Sequence, residues 1–261
     1  SVACDNPAES GFLLARYQPE VAYVPPKGSG QEDREAFRRV QAAARQGDVV
    51  AQYNLGCAYE YGIWVRQNFT RAVYWYRKAA EQGLAEAQYN LALLYLDGRG
   101  VEQDFSLAAR WLHRAAQQGS REAQHNLGVM YSQGDGIARD YRKAAEWYRK
   151  AAEQGSAGAQ NNLAIMYSEG LGVLPDQEQA FKWFLRAADQ NCAGAQYNLA
   201  LIYLRGDRGE QDKIRAYLYF SLAAFNGCSA AVECIEVLVP EMTPEQLVKG
   251  DEMVAEWLAA H

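Results

Sequence analysis

Proline is missing between Pro26 and Pro175, threonine occurs only at Thr70 and Thr243, and β-branched residues are scarce. A chain so poor in strand formers, and so rich in Ala, Gln, Glu and Arg, is not a sheet protein, and the proline gap lets helices run without interruption. No apolar run approaches the ~20 residues needed to cross a bilayer, which excludes a membrane-spanning helix. A basic excess is missing too: 26 Lys and Arg stand against 32 Asp and Glu, a formal charge of −6, so a nucleic-acid groove is not expected. Histidine is limited to His113, His125 and His261, none with a partner at metal-binding spacing on its own helix. There is no GxSxG elbow, HExxH pair or Walker-type loop. These absences leave no catalytic residue, metal ligand or cofactor site to name, and the chain is expected not to be an enzyme.

What the sequence does contain is itself, several times over. AQYNLG at Ala51 returns as AQYNLA at Ala87, AQHNLG at Ala123, AQNNLA at Ala159 and AQYNLA at Ala195, each 36 residues after the last, and the eroded AVECIEVL at Ala231 keeps the phase. Trp75, Trp111, Trp147 and Trp183, then Tyr219, share that period in contexts such as AVYWYRKAA. Within one unit, Ala51, Leu55, Ala58 and Tyr59 fall at helical intervals and predict a first helix with one apolar stripe. Gly62, Gly98, Gly134, Gly170 and Gly206 are placed to end it, because glycine accepts the left-handed conformation. Asn68, Asp104, Asp140, Asp176 and Asp212 are placed to cap the second helix, which Gly83, Gly119, Asn191, Gly155 and Gly227 then close. Asn68-Phe69-Thr70 also fits an N-glycosylation pattern, but the capping role explains Asn68 more simply. The recurring GxGV joins helix to helix with no strand before it, so it reads as a tight turn and not as a nucleotide loop.

A helix pair of 36 residues is too small to bury its own face, and stacking of neighbours supplies the continuous core. The organisation expected is an extended tail over residues 1–30, a capping helix over 31–46, five repeats over 47–226, and a partial sixth repeat with a C-terminal capping helix over 227–261. Thr243-Pro244-Glu245-Gln246 is a capping box that opens this last helix. Leu247, Met253, Val254 and Trp257 are placed to seal the final apolar face.

The WYRKAAEQG and AEAQYNLG…GxGV…D signature closely resembles the Sel-1-like repeat, a relative of the tetratricopeptide repeat. The resemblance covers residues 47–226 and implies an all-α, right-handed α-solenoid. It departs in the first unit, where Gly62-Ile63-Trp64-Val65 lacks the second glycine, and in the fifth, where Gly206-Asp207-Arg208-Gly209 shifts it by one position. The disulfide-per-repeat scheme of the cysteine-rich members is absent. Cys192 and Cys228 occupy equivalent places in adjacent units, on the order of 10 Å apart, beyond the reach of a disulfide. Cys228 and Cys234 are about 9 Å apart along a helix. Buried free thiols are therefore expected. The chain opens without Met or a hydrophobic leader, as after processing or at an arbitrary boundary, and Ser-Val-Ala-Cys resembles the end of a bacterial lipoprotein signal at Cys4. A periplasmic or secreted location is expected, with the cytoplasm as the alternative.

Positions identical in every unit serve the stacking that all units share, whereas positions that vary at constant phase are free to serve a partner. Asn54, Asn90, Asn126, Asn162 and Asn198 belong to the first kind and are expected to bond the adjacent backbone. In the tetratricopeptide geometry the first helix lines the concave face. Carried across, that geometry implies a partner surface of Tyr53, Tyr61, Tyr89, Leu93, Leu96, Asp97, His125, Glu169, Tyr197, Leu201, Leu204 and Arg205, with Trp64 as a further anchor in the irregular first loop. Tyrosines, aliphatics and a mixed polar rim suit a protein-binding patch, although recurring tyrosines also suit packing between units. The function expected is non-enzymatic recognition of a partner protein, with the chain itself a monomer. The resemblance implies one particular role, a periplasmic immunity protein that sterically blocks a secreted antibacterial lipase effector of type VI secretion. The alternative is an adaptor or scaffold in signalling, envelope assembly or host-factor binding; an enzyme with a site assembled across repeats is the third.

Overall fold

A computed structural model describes residues 30–207 and 209–260. Over these residues the chain is all-α. It opens with α1 (Gly30–Arg45) and continues in five helix pairs: α2 (Val49–Tyr61) with α3 (Phe69–Glu81), α4 (Ala85–Asp97) with α5 (Phe105–Gln117), α6 (Arg121–Gln133) with α7 (Tyr141–Glu153), α8 (Ala157–Glu169) with α9 (Gln177–Ala188), and α10 (Ala193–Arg205) with α11 (Lys213–Phe225). It closes with α12 (Ser229–Leu238), a 3-10 turn at Val239–Glu241, and α13 (Pro244–Ala260). Helices packed in sequence as pairs are the solenoid fold that the period predicts. The expected tail and the lipoprotein-like start at Cys4 lie outside the described residues. The described chain divides into two compact units, with the boundary between Trp147 and Tyr148.

The capping chemistry is the one read from the sequence. Asn68, Asp104, Asp176 and Asp212 each accept the backbone N–H three residues on, at 2.8–2.9 Å, and Asp140 does the same at 3.1 Å. Gly62, Gly98, Gly134, Gly170 and Gly206 take the left-handed conformation at the ends of the first helices.

In the N-terminal unit, Leu55, Leu91, Leu94, Leu112, Leu127 and Met130 form a fully buried spine. Small residues of the second helices (Ala72, Ala79, Ala80, Ala108, Ala115) let the backbones approach against it. Burying a Leu or Met side chain removes enough apolar surface from water to supply about 1.5–3 kcal/mol. In the C-terminal unit, Leu199, Phe220 and Leu222 play the same part. There α13 starts at a reciprocal capping box, with Gln246 N–H donating to Thr243 Oγ1 at 3.2 Å and Thr243 N–H to Gln246 Oε1 at 2.9 Å. Gly250 lets α13 close on α11, since a Cβ there would stand 2.6 Å from the Tyr217 ring.

The cysteines correct one expectation. Cys57, Cys192 and Cys234 are free, but Cys228 is disulfide-bonded. Cys192 and Cys234, too far from Cys228 by their spacing, are not its partners.

Candidate functional site

Half of the side chains that the repeat phase assigns to a partner surface are buried. In the N-terminal unit Tyr53, Tyr89, Leu93, Leu96 and His125 are each less than a tenth exposed. In the C-terminal unit Tyr197 is buried, while Leu201 and Leu204 are half-buried. The exposed members are Tyr61 and Asp97 in the first unit and Glu169 and Arg205 in the second. These four share one place in the repeat, the last residue of α2, α4, α8 and α10.

Hydrogen bonds show what the buried members do. Asn90 Nδ2 donates to the Tyr53 hydroxyl at 3.5 Å, and Asn126 Nδ2 to the Tyr89 hydroxyl at 3.2 Å. Asn198 Nδ2 donates to Asn161 Oδ1 at 3.3 Å. The recurring asparagines thus clip a side chain of the preceding repeat, where a backbone partner was expected; the phase had turned those tyrosines toward solvent instead of toward the next helix. Burial pushes the His125 imidazole down to about 4, with nearby Glu122 opposing the shift.

The first repeat carries a polar cluster of its own. Buried Tyr76 donates its hydroxyl to Glu60 Oε2 at 2.7 Å, and the Tyr76 hydroxyl oxygen lies 3.3 Å from Cys57 Sγ. Arg99 Nη2 stands 3.9 Å from Glu60 and 2.9 Å from Asp97. Burial raises the Cys57 thiol to about 11, so it is protonated at neutral pH and is not a nucleophile. Trp64 has a φ of 62°, and its ring lies 6.4 Å from that of Phe37 on α1. The glycines at the same place, Gly100 and Gly136, approach the backbone carbonyls of Phe69 and Phe105, where a Cβ would stand 2.3 Å from carbon. Among the described residues no group of three or more His, Cys, Asp or Glu could hold a metal ion, and no helix is long and apolar enough to cross a membrane.

The Sel1 repeat family matches residues 49–84, 85–120, 121–156, 157–192 and 193–227, all five pairs in register. The chain belongs to the Sel1 repeat family. It is similar to c5321, a protective antigen of uropathogenic Escherichia coli strains with the same fold, at 36% identity and a TM-score of 0.76 over 87% of this chain. It spans 49% of that protein, about half its length. A Sel1 repeat protein from Oxalobacter formigenes is 32% identical with a TM-score of 0.71, and the match covers 86% of this chain and 94% of that one. The Pseudomonas aeruginosa immunity protein PA5088 is 22% identical with a TM-score of 0.49, over 81% of this chain and 82% of that one, a likeness too slight to bear on function. None of the curated proteins matches.

One recurring element of these Sel1 repeats escaped the sequence reading. Gln82 Nε2 donates to Gln52 Oε1 and Gln118 Nε2 to Gln88 Oε1, both at 2.8 Å; in the other unit Gln190 donates to Gln160 at 2.7 Å and Asn226 to Gln196 at 3.0 Å. Gln52, Gln88 and Gln196 also donate to the carbonyls of Ala44, Ala80 and Ala188. The signal was present as the invariant Gln of the AQ pair, and as the Gln or Asn just before each closing Gly or Asn.

Proposed function

We propose that this Sel1 repeat chain is a non-enzymatic protein-binding module, and that its partner contacts concentrate on the last turns of the first helices. The carrying observation is the row at their final position. Tyr61 and Asp97 in one unit, and Glu169 and Arg205 in the other, are exposed and differ from repeat to repeat, while the side chains one and two turns earlier are mostly buried. Positions free of the stacking duty, aromatic or charged and open to solvent, are those that a partner can read.

Within this reading the chain is a periplasmic or secreted steric antagonist, an immunity protein that covers the active-site mouth of a secreted antibacterial lipase effector. The disulfide at Cys228 supports an oxidising compartment. The 36% identity with a protein described as a protective antigen supports a second reading, an exported adaptor that binds a host or envelope factor.

Capture from a periplasmic extract with wild type, and with Tyr61→Ala/Asp97→Lys and Glu169→Lys/Arg205→Glu variants, tests the surface. The expected result is a partner lost by at least one pair; equal recovery by all three proteins rejects it. Titration of a captured hydrolase tests the antagonist: inhibition complete at one-to-one stoichiometry is expected, and a tight complex with full activity rejects it in favour of an adaptor. Hydrolytic turnover by the chain alone would overturn the non-enzymatic reading.

A further inference from the structure

A cleft of about 600 Å³ opens at the first repeat, lined by Tyr59, Val65, Arg66, Gln67, Asn68 and Arg71. Two guanidinium groups stand in it, and no carboxylate belongs to the lining. Neither Arg66 nor Arg71 forms an ion pair among the described residues. Arg71 lies 5.3 Å over the Tyr59 ring, and its Nη1 donates to the Tyr59 hydroxyl at 3.2 Å. That hydroxyl belongs to a side chain only 5% exposed, and its own proton has no acceptor among the described residues.

The arrangement differs from that in the next repeat. In the second repeat the equivalent hydroxyl, Tyr95, receives Arg77 from the preceding helix at 2.7 Å. Thirty-six residues before Arg77 the chain has Gln41, on α1, so Arg71 of the same repeat takes the hydroxyl instead. The local charge changes with it. Arg66 is replaced in the later repeats by Glu102, Ala138, Leu174 and Glu210, and the cap that is aspartate in all of them is here the neutral Asn68. Two cations, a neutral cap and an unused buried hydroxyl proton meet only in this repeat.

We propose that this cleft is an oxyanion site, taking a carboxylate or phosphate group between Arg66 and Arg71 with the Tyr59 hydroxyl as a third donor. A guanidinium presents paired N–H donors that match the oxygens of either group, and charge-assisted bonds of this kind are about twice as strong as neutral ones. The site is independent of the partner row proposed above.

Calorimetric titration of the whole chain at low ionic strength, with sodium phosphate and with sodium acetate against a sodium chloride blank, tests it. Saturable binding at one site with a Kd in roughly the millimolar range is expected for at least one of the two. The tighter of the two assigns the group as phosphate or carboxylate. Arg66→Gln, which breaks no bond within the fold, is expected to weaken binding by about tenfold, and Tyr59→Phe, which gives up only the bond from Arg71, by about threefold with the chain still folded. A control pair on exposed helix faces, Lys78→Gln/Arg114→Gln, leaves the affinity unchanged. No saturation by either anion up to about 100 mM overturns the site, and so does an equal loss in the control pair.

Discussion

Tyr76 donates its hydroxyl to Glu60 at 2.7 Å, and 36 residues on, the same two positions hold Leu96 and Leu112. The first repeat buries an acid and a phenol where its neighbour packs hydrocarbon. Removing one partner of a buried bond leaves the other unsatisfied, whereas removing both is nearly neutral. Tyr76→Phe is therefore expected to destabilise the chain by about 1–3 kcal/mol, and Glu60→Leu/Tyr76→Phe to recover to within about 1 kcal/mol of wild type. Urea denaturation of the three proteins decides it; a double variant worse than the single one would contradict the pairing.

His125 gives the stability a pH dependence of defined sign. Its imidazole titrates at about 4 in the folded chain and near 6.5 when unfolded, so between these values the unfolded state binds more protons. The stabilisation is fully present above pH 6.5 and is lost as pH falls toward 4, by on the order of 3 kcal/mol in total. His125→Leu should flatten that acid limb in denaturation series from pH 4.5 to 7.5. An unchanged slope in the variant would show that another group carries it.

Thiol labelling separates the cysteines. Denatured without reductant, the chain should take iodoacetamide at Cys57, Cys192 and Cys234 and not at Cys228. In the native state at pH 8, Cys57 should label slowest, because burial holds its thiol near 11. Peptide mapping reads both; rapid native labelling of Cys57 would show that the helix pair opens locally.

The turn glycines are not interchangeable. Gly100→Ala drives a Cβ to 2.3 Å from the Phe69 carbonyl carbon and should cost more than about 3 kcal/mol. Gly83→Ala faces open space at a φ of 100° and should cost only about 1 kcal/mol. Thermal melts of the two variants give the ranking, which would be reversed or absent if the close approach were not made.

The period, the caps and the glycine stops were all legible in the sequence, because each is a local rule that repeats with the unit. Asn68 through Asp212 cap as read, and the Gly-to-Asn substitution at Asn191 keeps a φ of 59°. The candidate face was less legible. Phase alone places Tyr53 and Tyr89 on a common side of the first helices, but not the depth to which the next repeat covers them; there Asn90 and Asn126 reach back across the junction. The cleft at Arg66 was hidden for a related reason. It arises with Gln41 standing where the next helix pair is preceded by Arg77, a difference that matters only once α1 is seen in the place of a preceding second helix.

The glutamine clips bear on how such a chain changes its length over generations. Gln82 meets Gln52, and Gln118 meets Gln88, through the same pair of amide groups, as do Gln190 and Gln160. A genetic exchange that adds or removes one block of 36 residues in phase rejoins identical halves of this clip, so the new junction is already compatible. An exchange out of phase has no matching amide to meet.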